Sequence, residues 1–514
     1  MVNFVLSATV FGIEGKIVRV ESDISNGLPC FEMIGLLTTE VREAKERVRV
    51  ALKNNGISVP PVRITINLSP ADMKKEGTGF DLAIAISIMV GIGIIPTQNV
   101  ENIMFVGELG LDGEISGVRG ILPITLKAKE EGIGTIVVPY CNGNEAGVVD
   151  GIKVVPCRSL TELREYLLTS DALRDDVIKP RIIDAMTLLD ESCSRYDSDF
   201  ADMKGQEMIK RAMLIGAAGF HNVLLIGPPG AGKTMAAKCL PSIMPPISID
   251  ESLEVSRIYS VSGLLNENKS LITVRPFMNP HHTVTEKAMA GGGMNPRPGI
   301  ISRAHKGVLF LDEAVHFSGN SLEILRQPME DKKIVISRIG GSYEFPADFM
   351  LVAAINPCPC GNYPDANLCT CSAGTVSRYL SKLSGPMFDR IDICVEAPKV
   401  KLDDLHDGRS GMGSDEMRRI VMNALAIQKE RYKGEILFNS QLSAGTIDRY
   451  IELDEQCRKL MDDVYNRLNL SLRGYHKIIK VARTIADIEE SRNIERRHIM
   501  EALCYRTIED KYKR

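Results

Sequence analysis

The chain has 514 residues, 62 Lys plus Arg against 66 Asp plus Glu, a formal net charge of −4, and 44% apolar residues. At roughly 100–200 residues per domain this length accommodates about three folded units, and so ordinary a composition excludes a disordered or fibrous chain. The near balance of charge excludes a strongly basic nucleic-acid coat, while leaving room for one local basic lane.

Residues 1–5 (Met-Val-Asn-Phe-Val) lack the basic stretch and apolar run of a secretory leader, and twelve cysteines are few for this length. A reducing cytoplasm is therefore expected, and grouped cysteines read first as metal or redox candidates. The longest apolar run, 82–96, contains Ser87 and falls short of the ~20 residues that cross a bilayer. It predicts a buried helix and no membrane partner.

In chain order, a first unit spans residues 1–168. Within it 17–20 reads as a strand, 40–54 as a charged helix, and 62–68 as a strand with Ile64 and Ile66 inward. Residues 107–115 predict a hairpin closed by a two-residue turn at Asp112-Gly113. Residues 169–195 are charged without periodicity, as in a linker or docking arm. A second unit covers 196–398. The third, 399–514, is helical: in 472–491, Ile478, Ile479, Ala482, Ile485, Ala486 and Ile488 recur near 3.6-residue spacing behind Ser471 as N-cap.

The second unit carries phosphate chemistry. An apolar strand, 223–226, runs into Gly227-Pro228-Pro229-Gly230-Ala231-Gly232-Lys233-Thr234, the full G-x-x-x-x-G-K-[ST] pattern in its strand–loop–helix context. Its glycines let backbone N–H groups converge on phosphates, Lys233 supplies a point charge to the β and γ groups of ATP, and Thr234 can hold Mg²⁺. A second strand, 307–311, ends in Asp312-Glu313. In a parallel sheet the strand ends share one crevice, so Asp312 can reach the Mg²⁺ shell and Glu313 can polarise the attacking water. A third, 351–355, ends in Asn356, whose amide can orient that water and also open a turn before Pro357.

These strand ends, with Leu383-Ser384-Gly385-Pro386-Met387-Phe388-Asp389-Arg390-Ile391-Asp392 and Asn469-Leu470-Ser471-Leu472-Arg473-Gly474, resemble an AAA+ ATPase. Arg275-Pro276-Phe277, Pro280-His281-His282, Gly291-Gly292-Gly293 and Pro298-Gly299 make the chain similar, over essentially its whole length, to the Mg-chelatase-like YifB/ComM family. It departs from that pattern at Ile300 and at Ala314-Val315-His316. The resemblance implies an α/β fold: an AAA+ P-loop core with a parallel sheet, an α+β Lon-like N-terminal domain and an all-α C-terminal lid. It also implies Arg390 as the arginine finger reaching a neighbour's ATP, Arg473 as the lid arginine called sensor 2, and a ring of six copies.

The 79 residues from Lys233 to Asp312 exceed what one helix and one strand need. The excess, 275–299, resembles the helix-2 insert of Mg-chelatase, MoxR-like and replicative-helicase rings, whose loops face the pore. After a helix expected over 321–330, a hairpin over 334–338 and 342–345 around Gly340-Gly341 resembles the presensor-1 hairpin. Lys332, Lys333 and Arg338 either track a DNA backbone there or are ordinary solvated charges. His281 and His282 have no third ligand at a zinc-like spacing, and read as structural or pore-loop groups. Cys358, Cys360, Cys369 and Cys371 fall within 14 positions, leaving open a structural Zn²⁺, an iron–sulfur cluster or unliganded thiols.

Residues 69–81 resemble the Lon protease fold, with Gly79 where the nucleophilic Ser belongs, Thr78 as the only nearby substitute and no lysine partner evident. No peptidase activity is expected, and the domain reads as a platform for assembly or substrate. The resemblance therefore implies an ATP-driven motor on DNA, in branch migration or unwinding; a chelatase-type protein-remodelling motor is the alternative, and an ATP-dependent protease fits least.

Overall fold

A computed structural model describes residues 3–192, 196, 198–338, 341–365, 367–383, 385–399, 411–434 and 436–512. Gly340 at the expected hairpin tip, Ser384 before Arg390, linker residues 193–195 and the stretch 400–410 lie outside the described residues.

The N-terminal part is built on a mixed sheet. Strands β1 (Asn3–Phe11) and β2 (Glu14–Ser25) pair antiparallel, and β3 (Cys30–Ile34) lies parallel to β4 (Arg63–Ser69). After β5 (Ile103–Phe105) come the short β6 (Glu108–Leu109) and β7 (Ile115–Ser116), then β8 (Thr135–Pro139) and β9 (Lys153–Cys157). The order is β3-β4-β2-β1-β5-β8-β9. The strand expected at 17–20 is the middle of the longer β2, and Ile64 and Ile66 face the core as expected. The charged helix is Thr39–Asn54, and the apolar run folds into the helix Asp81–Gly91, buried through Val90. The expected hairpin forms between β6 and β7, but its turn is longer than two residues: Gly110 N–H bonds Glu114 C=O at 2.9 Å, and Gly113 takes φ +91°.

The second sheet is parallel throughout. It comprises β10 (Val223–Ile226), β11 (Phe277–Met278), β14 (Val308–Leu311), β17 (Met350–Ile355) and β18 (Ile393–Glu396), ordered β11-β14-β17-β10-β18. Two hairpins stand off it: β12 (Gly291–Gly292) with β13 (Arg297–Pro298), and β15 (Lys333–Arg338) with β16 (Gly341–Pro346). All four residues of β10 and all six of β17 are buried, as strands covered on both faces must be. The helix expected over 321–330 is two short helices, Gly319–Glu323 and Arg326–Asp331. The insert 275–299 is not all loop: Arg275 is 4% exposed and ion-paired to Glu251 at 2.8 Å, and Phe277 begins the edge strand. In the expected linker, Leu189 of the helix Ala185–Ser192 packs on Val255 and Ile258, which favours the docking-arm reading.

The C-terminal part is helical: Ser414–Tyr432, Glu455–Arg467, Leu472–Ile488 and Arg496–Tyr512. Ser471 caps the third, accepting from Gly474 N–H at 3.1 Å, and Ile478, Ile479, Ala482, Ile485 and Ala486 join the core beneath the parallel sheet. Asp487, fully buried, binds Arg431, Arg483 at 3.1 Å and Asn439 at 2.9 Å. Removing one member of such a network leaves the others as uncompensated buried charges. Asp487→Ala should therefore cost about 3–5 kcal/mol, read as a lowered midpoint for the C-terminal helices in circular dichroism melts.

Candidate nucleotide-binding site

β10 ends where the chain must turn sharply. Gly227 sits so close to the next strand's end that a Cβ there would lie 2.3 Å from Ala397 C=O. Gly230 and Gly232 take φ +77° and +82°, a region L side chains rarely adopt, and the helix Lys233–Ile243 starts at once. Lys233 is 8% exposed; its Nζ donates to Gly227 C=O at 2.6 Å, Pro228 C=O at 2.9 Å and Asn356 Oδ1 at 3.1 Å. Burial pushes its pKa down, while Asp312 and Glu313 pull the other way. An ammonium held by carbonyls is poised to exchange them for phosphate oxygens.

Thr234 Oγ1 donates to Asp312 Oδ2 at 2.8 Å, the pairing two neighbouring ligands of one Mg²⁺ would have. Glu313 is exposed at φ +50°, its N–H bonded to Asp312 Oδ1 at 3.0 Å. Such a conformation is uncommon for a residue other than glycine and gathers at functional sites. Pro229 to Thr234, Asp312, Glu313 and Asn356 line one cavity of about 420 Å³ at the C-terminal ends of β10, β14 and β17.

Arg390 and Arg473 are elsewhere. They meet on the carboxylate of Glu330, Arg390 at 2.7 Å, and burial opposes but the two arginines together hold Glu330 below its usual range. Asn222, just before β10, fixes the Arg390 backbone by donating to its C=O at 3.0 Å. The cavity they line, about 840 Å³, also takes in Asp348 before β17, Asp392 before β18, Lys477 and Lys480. It therefore opens at the N-terminal ends of the strands, opposite the phosphate loop. At about 3.3 Å per residue, the six residues of β17 separate the two ends by roughly 20 Å. Glu330, Asn222, Lys477 and Lys480 carried no signal in the sequence, because no motif marks the far end of a strand.

The basic hairpin residues are largely spoken for. Lys332 pairs with Asp348 at 3.2 Å, Lys333 with Glu344 at 3.0 Å, and Arg338 Nε donates to Gly293 C=O at 3.3 Å. Tyr343 of the same hairpin stacks on Phe11 of the N-terminal domain, centroids 4.3 Å apart. The rings of His281 and His282 lie 4.1 Å apart and His316 sits 6.0 Å beyond, a neighbour that linear spacing did not reveal. Near Gly79, Thr78 Oγ1 bonds the Glu108 carboxylate, and the described residues lining the adjoining cavity include Glu40, Glu76, Arg119 and Arg297 but no lysine.

The four cysteines converge: Cys358 Sγ lies 3.3 Å from Cys360 and 3.8 Å from Cys369, Cys360 lies 3.6 Å from Cys369, and all four sulfurs fall within 4.8 Å of one another. Backbone N–H from Asn362, the Cys358 thiol and backbone N–H from Thr370 hold the Cys360 thiol down at about 6. This donor set suits a tetrahedral thiophilic cation.

A five-stranded parallel sheet with a glycine-rich phosphate loop, an Asp-Glu strand end, inserted hairpins and a helical C-terminal bundle defines a Mg-chelatase-like AAA+ protein. Sequence comparison agrees: the family described as magnesium chelatase, subunit ChlI, matches residues 199–405, subunit ChlI of Mg-chelatase matches 20–142, and its C-terminal family matches 411–506. The chain is 38% identical over 508 residues to competence protein ComM of Haemophilus influenzae, covering 98% of this chain and 97% of that one. It is 36% identical over 507 residues to YifB of Escherichia coli, covering 99% and 97%. To the magnesium-chelatase 38 kDa subunit of Cereibacter sphaeroides it is 28% identical over 174 residues, 31% of this chain and 52% of that one. The chain belongs to the YifB/ComM family. Among the described residues no helix is long and apolar enough to cross a membrane.

The tight approach at Gly227 makes a direct test. Gly227→Ala forces a methyl against the Ala397 carbonyl, and overpacking of this kind costs about 1–3 kcal/mol. A lower thermal midpoint and ATP binding weaker by at least about tenfold, or about 1.4 kcal/mol, are expected in melts and in titration with a fluorescent ATP analogue.

Proposed function

We propose that the protein is an ATP-hydrolysing ring motor of six copies in the cytoplasm, that its ATP sites are shared between neighbours, and that it acts on DNA in branch migration or unwinding. The observation that carries the shared site is the position of Arg390 and Arg473 at the end of the sheet opposite the phosphate loop. Arginines about a strand's length from their own phosphates can reach a γ-phosphate only in a second copy, so the chain alone holds two halves of two different sites. In this reading Arg473 works beside Arg390 on the neighbour's nucleotide, and Glu330 holds both until that nucleotide arrives.

Within one site, Lys233 exchanges its carbonyls and Asn356 for the β and γ phosphates. Thr234 and Asp312 would hold Mg²⁺, which would supply charge neutralisation to the phosphates. Glu313 takes the proton of the attacking water, and Asn356, released by Lys233, orients it. The four cysteines hold a structural Zn²⁺. The N-terminal domain is a platform without peptidase activity, since no lysine borders Thr78 in the cavity described.

DNA as the substrate is supported by a relative named a competence protein, and by the basic hairpin reaching the insert, where Arg338 Nε donates to Gly293 C=O at 3.3 Å. A protein-remodelling motor is the second reading, favoured by one observation: Lys332 and Lys333 are each neutralised by a carboxylate of the same chain.

ATP turnover measured with and without forked and four-way DNA at several salt concentrations separates the two. Stimulation that falls steeply with salt is expected, and Glu313→Gln should still bind ATP and DNA while turnover stops. The absence of both binding and stimulation at low salt would exclude the DNA reading.

A further inference from the structure

The cysteine cluster is the one gathering of metal-ligating side chains among the described residues, and the ATP chemistry above makes no use of it. Cys358 and Cys360 leave the end of β17, two and four residues past Asn356; Cys369 and Cys371 return just before the helix Ala373–Leu380, capped by Ser372. For Zn–S bonds of about 2.3 Å, the edges of a tetrahedron of four sulfurs are about 3.8 Å, and the three sulfur separations of 3.3, 3.6 and 3.8 Å sit near that edge. A spread of no more than 4.8 Å leaves room for one ion and none for a core of several irons and sulfides. The C-x-C pairs reach this geometry because Gly361, at φ +82°, reverses the chain directly after Cys360. Tyr363 N–H then points at Cys358 Sγ, 3.4 Å away, the backbone support typical of a thiolate ligand.

The same glycine touches the phosphate loop. A Cβ on Gly361 would stand 2.6 Å from Pro229 Cδ and 3.3 Å from its Cγ. Cys358 is itself fully buried in the core beside Leu351, Ala353 and Ile355 of β17. The knuckle is thus bound on one side to the strand that presents Asn356 to Lys233, and on the other to the second proline of the loop that would wrap the phosphates.

We infer that Cys358, Cys360, Cys369 and Cys371 close around one zinc ion, and that the closed knuckle is a wall of the ATP site, fixing the phosphate loop through the contact of Gly361 with Pro229. This rests on the zinc and ATP readings given above and adds that the two sites are coupled. Opening the knuckle removes the wall behind Pro229 and frees the end of β17, so the loop loses its set shape. Coupling of this kind is reciprocal: nucleotide must hold the metal as firmly as metal holds nucleotide.

The full chain is tested by elemental analysis, by titration with a fluorescent ADP analogue before and after zinc is stripped with a thiol-directed mercurial, and by following zinc release to a chromogenic chelator with and without ADP. One zinc per chain is expected; stripping should weaken ADP binding by about tenfold or more, thiol regeneration and added Zn²⁺ should restore it, and at equilibrium with the chelator ADP should raise the zinc affinity by the same factor. Gly361→Ala keeps all four thiols but strains the turn at φ +82° and presses into Pro229, so it should hold zinc less firmly and bind ADP several-fold more weakly; it also decides the matter if the stripped chain unfolds. Zinc present, with ADP affinity unchanged within about twofold in both the stripped chain and Gly361→Ala, would overturn the coupling and leave the metal site standing. Iron, or no metal, would overturn the metal site itself, and a zinc-loaded chain that binds no ADP would overturn the ATP site.

Discussion

A parallel sheet has two unlike ends, and everything in the core depends on which end a residue occupies. The C-terminal ends of β10, β14 and β17 collect Lys233, Thr234, Asp312, Glu313 and Asn356 around one cavity. The N-terminal ends collect Asn222, Asp348 and Asp392, and with them Arg390, Arg473 and Glu330. Because neighbours throughout are parallel and β17 sets its two ends roughly 20 Å apart, no side chain spans the distance between them. The polarity of the sheet thus divides the charged machinery into two faces, and in the proposed ring a head-to-tail contact, the second face of one copy against the first face of its neighbour, would reunite them.

The first face was legible from linear spacing because each motif ends a strand. A phosphate loop needs its residues consecutive, so Gly227 to Thr234 announces itself; Asp312-Glu313 and Asn356 follow runs of apolar residues that can only be buried strands. The second face was legible only by family resemblance. Arg390 lies in a short loop and Arg473 in the first turn of a helix, and what brings them together is Glu330, from a helix with no motif of its own. Local expectations failed where tertiary packing decided the outcome: the turn beyond β6 is longer than Asp112-Gly113 alone suggests, and Arg275 is drawn inside by Glu251 and by carbonyls of Pro245 and Lys306. The helix expected over 321–330 divides before Pro328, whose ring and missing N–H disfavour a continuous helical ladder.

The parts that do not touch phosphate are joined to the part that does. Glu145 of the N-terminal domain, buried and pushed up in pKa chiefly by that burial, accepts from Leu122 N–H at 3.1 Å and from the hydroxyl of Ser260 in the core helix Ile249–Val261. Phe11 stacks on the hairpin that carries Lys333 and Arg338. The helix Leu472–Ile488 holds Arg473 at its first turn and, through Lys477 with Asp392 at 3.4 Å, rests on the base of β18. In the proposed motor, movement at either face would therefore be shared with a whole domain.

The division of the site between two copies is tested most directly by mixing two inactive variants. Lys233→Ala loses the phosphate loop charge but keeps Arg390; Arg390→Ala keeps the loop and loses the finger. If each site is built from two chains, an equimolar mixture contains interfaces with both groups intact, and ATP turnover should reappear at roughly a quarter of the wild-type value for random assembly and independent sites. Turnover no greater than the sum of the two variants alone, with mixed rings shown to form, would contradict the account.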